Sequence, residues 1–165
     1  MIEFIQGNIF DSDTQALVNT VNTKGIMGKG LALKFRARFP DMYVKYRCYC
    51  LLEKLHPGEV FVWQNPKLYG RFILNLATKD DWRNPSEYEW IDKGLIELDK
   101  VMEFHNITSV SIPPLGCGCG NLDWPTVRSK IFEYHDRHWA NIKVQVYEPL
   151  KVNMKYCSKG PQHFN

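Results

Sequence analysis

Ala16-Leu17-Val18-Asn19-Thr20-Val21-Asn22, running into Lys24-Gly25-Ile26-Met27-Gly28-Lys29-Gly30, is the stretch that decides the fold. It has a counterpart in Val110-Ser111-Ile112-Pro113-Pro114, running into Leu115-Gly116-Cys117-Gly118-Cys119-Gly120. In each, an apolar, β-prone run ends in a glycine-rich loop, which predicts two strands whose loops leave the same edge of one sheet. Glycine has no Cβ, so such loops turn sharply and bring bare backbone N–H groups against an anion, usually a phosphate. Two of them together predict a clamp for a diphosphate.

Outward from these stretches, short β-prone runs alternate with longer amphipathic ones, the pattern of an α/β protein whose sheet is covered by helices. Strands are predicted at Ile2–Gln6, Ala16–Thr20, Val60–Gln64, Phe72–Leu76, Ser109–Ile112 and Lys143–Tyr147, and helices at Leu31–Phe39, Met42–Leu52, Ser86–Phe104 and Pro125–His138. The third helix has the clearest pattern. Trp90, Leu95, Ile96, Leu98, Val101 and Met102 recur at helical spacing behind Ser86 as cap, with Glu87 and Glu89 in the first turn. Asp123-Trp124-Pro125 supplies the fourth with a cap and a first-turn proline. There are no internal repeats, low-complexity segments or clear linkers. Residues 1–150 are therefore expected to form one domain, followed by a polar tail or the start of a linker at 151–165.

The chain has 165 residues, 44% of them apolar, enough for a single core. No stretch approaches the roughly 18 apolar residues of a membrane span, and Met1-Ile2-Glu3-Phe4 does not begin an export signal. A cytoplasmic protein without a membrane partner is expected. Five cysteines include Cys48-Tyr49-Cys50 and Cys117-Gly118-Cys119, whose one-residue spacers differ from common zinc sites, so free thiols are expected. His135 and His138 share a helix face but have no evident third ligand, and no metal or cofactor is predicted. A net charge of +3 says little about a partner. Lys24, Lys29, Lys34, Arg36 and Arg38 lie in or just after the first loop, either beside a bound polyanion or on a solvated helix face.

Three motifs in this order resemble a known family. Gly7-Asn8-Ile9 follows the first strand, Val18-Asn19-Thr20-Val21-Asn22 precedes a Gly-x-x-Gly-x-Gly loop, and Pro113-Pro114-Leu115-Gly116-Cys117-Gly118 precedes a helix. Together they resemble the macrodomains, which bind ADP-ribose with a three-layer α/β/α fold around a mixed sheet of about six strands. The resemblance covers residues 1 to about 149. Within the family it is strongest to the DarG antitoxin branch, which removes ADP-ribose from DNA, and more distant to the terminal ADP-ribose protein glycohydrolases. The stretches that distinguish the branch are Val21-Asn22-Thr23 through Gly30, Ala77-Thr78-Lys79 followed by Trp82-Arg83, and Gly118-Cys119-Gly120-Asn121-Leu122-Asp123-Trp124.

The resemblance implies a site for each part of ADP-ribose. Gly28, Lys29, Gly30 and Leu31 on the first loop, and Pro114, Leu115, Gly116, Cys117, Gly118, Cys119 and Gly120 on the second, would cradle the diphosphate, aided by a helix N-terminus near Leu31. Ile9, Asn19 and Thr20 would line the ligand. Many macrodomains place an aspartate against the adenine amino group; Asn8 stands there in this chain, an acceptor without charge assistance. Asn22 would orient the distal ribose or an attacking water. Cys117 and Cys119 would pack beside the ligand, and Trp82, Trp124 and Tyr147 would either wall the pocket or pack the core.

Lys79 follows the apolar run 72–77 and is implied to carry the chemistry. An ammonium there would stabilise or protonate a departing base; a neutral amine would instead attack the anomeric carbon, which needs a depressed pKa. The neighbouring Asp80 and Asp81 are expected to raise that pKa, which favours the first route. Two departures stand out. Gly120 occupies the position of the protein glycohydrolases' second catalytic aspartate, and Asp81 stands where the DarG-like sequences commonly have histidine.

The function implied is release of ADP-ribose from a nucleobase, with thymidine favoured, of single-stranded DNA by a monomeric enzyme. It would undo the work of a cognate ADP-ribosyltransferase toxin, with the strand held through its phosphates. A non-catalytic ADP-ribose-binding module, and a hydrolase of small ADP-ribose derivatives or of ADP-ribosylated protein, are the alternatives.

Overall fold

The computed structural model describes residues 1–67 and 71–149. Six strands, β1 (Ile2–Ile5), β2 (Ala16–Asn22), β3 (Val60–Gln64), β4 (Phe72–Lys79), β5 (Ser109–Ile112) and β6 (Lys143–Tyr147), form one sheet in the order β1-β6-β5-β2-β4-β3. All neighbours are parallel except the edge pair β3 and β4, so the sheet is mixed, as expected. Four helices cover it: α1 (Gly30–Arg38), α2 (Pro40–Leu51), α3 (Tyr88–Phe104) and α4 (Trp124–His138).

β2 and β4 are buried along almost their whole length, which is why they read as continuous apolar runs instead of alternating ones. Successive residues still face opposite layers. Ala16 and Val18 join Leu74, Leu76, Val110 and Ile112 in the core beneath α3 and α4, whereas Leu17 and Val21 join Ile73 and Ala77 beneath α1 and α2. α3 docks through Ile91, Leu95, Leu98 and Met102, the stripe its sequence periodicity predicts.

One polar pair interrupts the second core. Asn19 on β2 and Asn75 on β4 face each other in register, both fully buried. The Asn19 amide donates to Asn75 Oδ1 at 3.0 Å, and the Asn75 amide donates to the Phe61 carbonyl at 3.3 Å.

Some predicted boundaries move. β2 runs on to Asn22 and β4 to Lys79, because the pairing between these strands continues past Thr20 and Leu76. Ser86 does not cap α3, which starts at Tyr88 behind Glu87; the Ser86 amide donates instead to the Gly120 carbonyl at 2.9 Å. Asp123 does cap α4, accepting from the Thr126 amide at 3.0 Å. Cys48, Cys50 and Cys117 are free thiols as expected, but Cys119 is disulfide-bonded; spacing that argues against zinc does not constrain disulfide pairing. Among the described residues no helix is long and apolar enough to cross a membrane. The expected polar tail at 151–165 lies outside the described residues.

Candidate functional site

The parallel strands end at a common edge, where the loops after β1, β2, β4 and β5 emerge together. From β2 the chain builds outward to β4 and β3, then returns to place β5 on the other side of β2. The β5–β2 boundary is therefore the topological switch point of the sheet, where α/β folds receive ligands. Both glycine loops flank that boundary.

The first loop is fixed by its leading residue. The buried Asn22 side chain donates to the Ile26 carbonyl at 2.7 Å and accepts from the backbone amides of Lys24 at 3.0 Å and Ile26 at 3.3 Å. The Tyr46 hydroxyl, from α2, donates to the Asn22 carbonyl at 2.6 Å. Burial, with the Cys50 thiol beside it, holds the Tyr46 phenol above its usual range, so it stays a donor. Thr23 ties the loop to the β4 end, donating from its hydroxyl to the Asp80 carbonyl at 2.8 Å and carboxylate at 2.7 Å. Beyond this anchored turn, Gly28, Lys29 and Gly30 are exposed. α1 starts with no side-chain cap, so its first-turn amides face the same edge unsatisfied by any capping group, a ready anion site.

Asn22 and Lys79 are partners in the β2–β4 register, so the two expected catalytic residues stand side by side. Lys79 is partly buried, and its ammonium donates to the Trp82 carbonyl at 3.3 Å. Burial lowers its pKa, the positive charge of Lys29 lowers it further, and Asp81 offsets this only in part. That corrects the sequence expectation of a raised value: burial and Lys29 outweigh Asp81, and Asp80 is engaged elsewhere. The Asp80 carboxylate accepts from Thr23 and, at 3.3 Å, from Lys24, and these contacts lower its pKa. Asp81 is gripped by Arg83 at 2.7 and 2.9 Å, which holds its carboxyl well below the usual carboxylate range.

The second loop is built around two glycines that admit no side chain. Gly116 has φ +68°, and a Cβ there would lie 2.8 Å from Leu122 Cδ1; a Cβ on Gly120 would lie 2.3 Å from the Gly116 carbonyl oxygen and from Ser86 Oγ. Gly118, at the exposed tip, is different: a Cβ there meets nothing within 4 Å, and the same is true of Gly30 on the opposing loop. The Cys117 thiol donates to the Leu115 carbonyl at 3.3 Å and is pushed up to about 12 by burial and then Asp123, which suits packing and not nucleophilic attack.

The remaining expected residues divide by burial. Asn8 is exposed, and its side-chain oxygen accepts from the Phe10 amide at 3.1 Å, leaving a second lone pair and the amide hydrogens for a ligand. Thr20 and Pro114 are half-buried. Ile9, Asn19 and Leu115 are core residues that support the edge from below. Of the basic cluster, Lys24 and Lys29 stand at the site, whereas Arg36 and Arg38, in the last turn of α1, lie over the rings of Tyr43 and Phe10. His135 is buried and His138 stacks on Tyr134 in the last turn of α4; among the described residues no cluster of three or more His, Cys, Asp or Glu is placed to hold a metal. Sequence reasoning missed Thr23, Tyr46 and Ser86, whose roles depend on contacts between distant segments that no spacing encodes.

The Macro domain family model matches residues 18–131. A DNA ADP-ribosyl glycohydrolase of Thermus aquaticus is 40% identical over 152 residues, which is 92% of this chain and 42% of that protein. The macrodomain of Mycobacterium tuberculosis DarG has a TM-score of 0.87 at 40% identity, over 91% of this chain and 99% of that one. Thermosipho africanus DarTG, solved in complex with ADP-ribose, has a TM-score of 0.84 at 30% identity, over 96% of this chain and 46% of that one. The chain spans about two fifths of the length of the curated DNA ADP-ribosyl glycohydrolases of Thermus and Mycobacterium that it resembles.

Proposed function

Since the chain belongs to the Macro domain family, we propose that it is an ADP-ribosyl glycohydrolase releasing ADP-ribose from a nucleobase, thymidine above others, of single-stranded DNA. The observation that carries this reading is the pairing of Asn22 and Lys79 at the sheet edge between two glycine loops. The amides of the exposed residues Gly28, Gly30 and Gly118 and the uncapped start of α1 would receive the diphosphate. Asn8 would meet the adenine.

In this reading the bond between the anomeric carbon and the base nitrogen breaks, and its electron pair leaves with the base. The Lys79 ammonium delivers a proton to that nitrogen. Water supplies hydroxide to the anomeric carbon, and its remaining proton restores the lysine. A lysine pKa lowered by burial and by Lys29 makes the ammonium a stronger acid and also makes the neutral amine of the nucleophilic route more accessible, so the pH profile of release, and not the shift itself, separates the two routes. Asn22 acts through the turn it anchors, which sets where the distal ribose rests. A DNA ADP-ribosyltransferase is the activity that must supply such a substrate, and it is the partner proposed.

The test is release of ADP-ribose from an ADP-ribosylated single-stranded oligonucleotide by the natural protein and by Lys79→Ala, with ADP-ribosylated protein as second substrate. Release from DNA that depends on Lys79 supports the reading. Equal release by Lys79→Ala removes the mechanism, preference for the protein adduct removes the substrate, and binding of ADP-ribose with no release makes the chain a binding module.

A further inference from the structure

Of the three aromatic residues expected to wall the pocket or pack the core, Tyr147 and Trp124 pack into the two cores, whereas Trp82 lies outside both and is 46% exposed. It is three residues past Lys79, and the lysine ammonium bonds its carbonyl at 3.3 Å. Among the described residues no other aromatic ring stacks on it. The turn that carries it is closed by hydrogen bonds. Asp81 accepts from the Arg83 backbone amide at 2.9 Å and from the guanidinium at 2.9 and 2.7 Å, and the Asn84 amide closes the turn on the Asp81 carbonyl at 3.1 Å. The clamped guanidinium lies 5.4 Å from the centre of the indole ring.

We propose that Trp82 is a stacking platform for an unpaired nucleobase of the DNA strand, held ready by the Asp81–Arg83 clamp beside the reacting centre. This rests on the hydrolase reading above and adds a recognition element for its substrate. A large exposed π-face carried on a hydrogen-bonded turn offers a surface for a flat partner, and every base presents such a face regardless of sequence. Lys24 and Lys29, exposed on the neighbouring loop, provide for the phosphates on either side of that base. The adenine of ADP-ribose is an unsuitable occupant, since the proposed adenine contact, Asn8, follows β1 at the far side of the sheet from β4. Asp81 thereby acquires a role, as the residue that fixes Arg83.

The experiment measures affinity for a short unmodified single-stranded oligonucleotide at fixed low salt, and separately for free ADP-ribose, in the natural protein, Trp82→Phe, Trp82→Leu and Trp82→Ala. Expected are a roughly ten-fold loss of oligonucleotide affinity in the Leu and Ala variants, most of it restored by Phe, and unchanged ADP-ribose affinity in all. The leucine variant keeps bulk and apolarity without a π-face, so it decides the matter if alanine fails to fold. Unchanged oligonucleotide affinity in Trp82→Leu overturns the proposal, as does an equal loss of ADP-ribose binding. Turnover separates the two readings. Trp82-dependent strand binding without ADP-ribose release leaves the platform standing and removes the hydrolase; release with the same KM in Trp82→Leu removes the platform alone.

Discussion

Lys79 faces Asn22 across β2 and β4 only because the register shifts just below them: Val21 pairs with Ala77, yet Asn22 pairs with Lys79, leaving Thr78 as an extra residue in β4. Such a bulge turns a side chain out of the sequence of faces a regular strand would impose. Thr78 is buried, and the lysine is brought to the rim.

Lys79→Ala is expected to slow ADP-ribose release by about 100- to 10,000-fold, the range for loss of a positioned acid. Free ADP-ribose affinity should stay near normal, because the proposed diphosphate cradle is built from backbone amides. Single-turnover release and calorimetric titration of the same variant check both halves.

The pH dependence follows from the lowered lysine pKa. With an ammonium as the working form, release fades as pH rises through that pKa, and Lys29→Gln moves the alkaline limb to higher pH by removing a repelling charge. A rate that instead climbs with pH over the same range assigns the work to the neutral amine. Stability carries the opposite sign: a lysine with a folded pKa below its unfolded one costs stability while charged, and the cost disappears as pH rises toward the unfolded value. Lys79→Met should therefore melt higher than the natural protein at neutral pH, with the gap narrowing in alkali.

Gly118→Ala and Gly120→Ala separate ligand space from packing. At Gly120 the new methyl meets a carbonyl oxygen and Ser86 Oγ, so about 1–3 kcal/mol of stability is expected to be lost. At Gly118 it meets no protein atom, so the melt should change by about 0.5 kcal/mol or less while ADP-ribose affinity falls. Thermal melts and titrations of the pair check this, and a Gly118→Ala protein with full affinity puts the diphosphate elsewhere.

Tyr46→Phe removes the stronger of the two donors to the buried Asn22 carbonyl and leaves it only the Cys50 thiol at 4.0 Å. A loss of about 0.5–1.5 kcal/mol is expected, with slower release because the turn from Asn22 to Ile26 loses part of its support from α2. Chemical denaturation and steady-state kinetics on one preparation test whether the two losses accompany each other.

Much of this was legible in the chain. The strands of the central sheet are apolar runs with clear ends, Asp123 and Pro125 mark the start of α4, and the glycines of both loops fall where turns are needed. The illegible parts share a cause. Ala77 and Lys79 are poor strand formers by themselves, and only pairing with β2 extends β4 through them. Ser86 resembles a cap in sequence, but its amide is taken by Gly120, more than thirty residues away. Asp80 and Asp81 read as neighbours of Lys79, yet Thr23 claims Asp80, and burial and Lys29 outweigh Asp81, so adjacency in sequence gave the wrong direction for the lysine pKa.

The Asn19–Asn75 pair in the middle of the sheet bears on the rim above it. Strands buried on both faces resist sliding weakly, since one aliphatic rung is much like the next. Two amides on the same rung are not interchangeable with their surroundings, and a slip of two residues would strand each against hydrocarbon at ~1–3 kcal/mol apiece. The pair thus indexes β4 against β2, and Lys79, four residues past Asn75, meets Asn22, three past Asn19, by inheriting that alignment. The spacing of Asn22 and Lys79 is calibrated from the interior of the molecule.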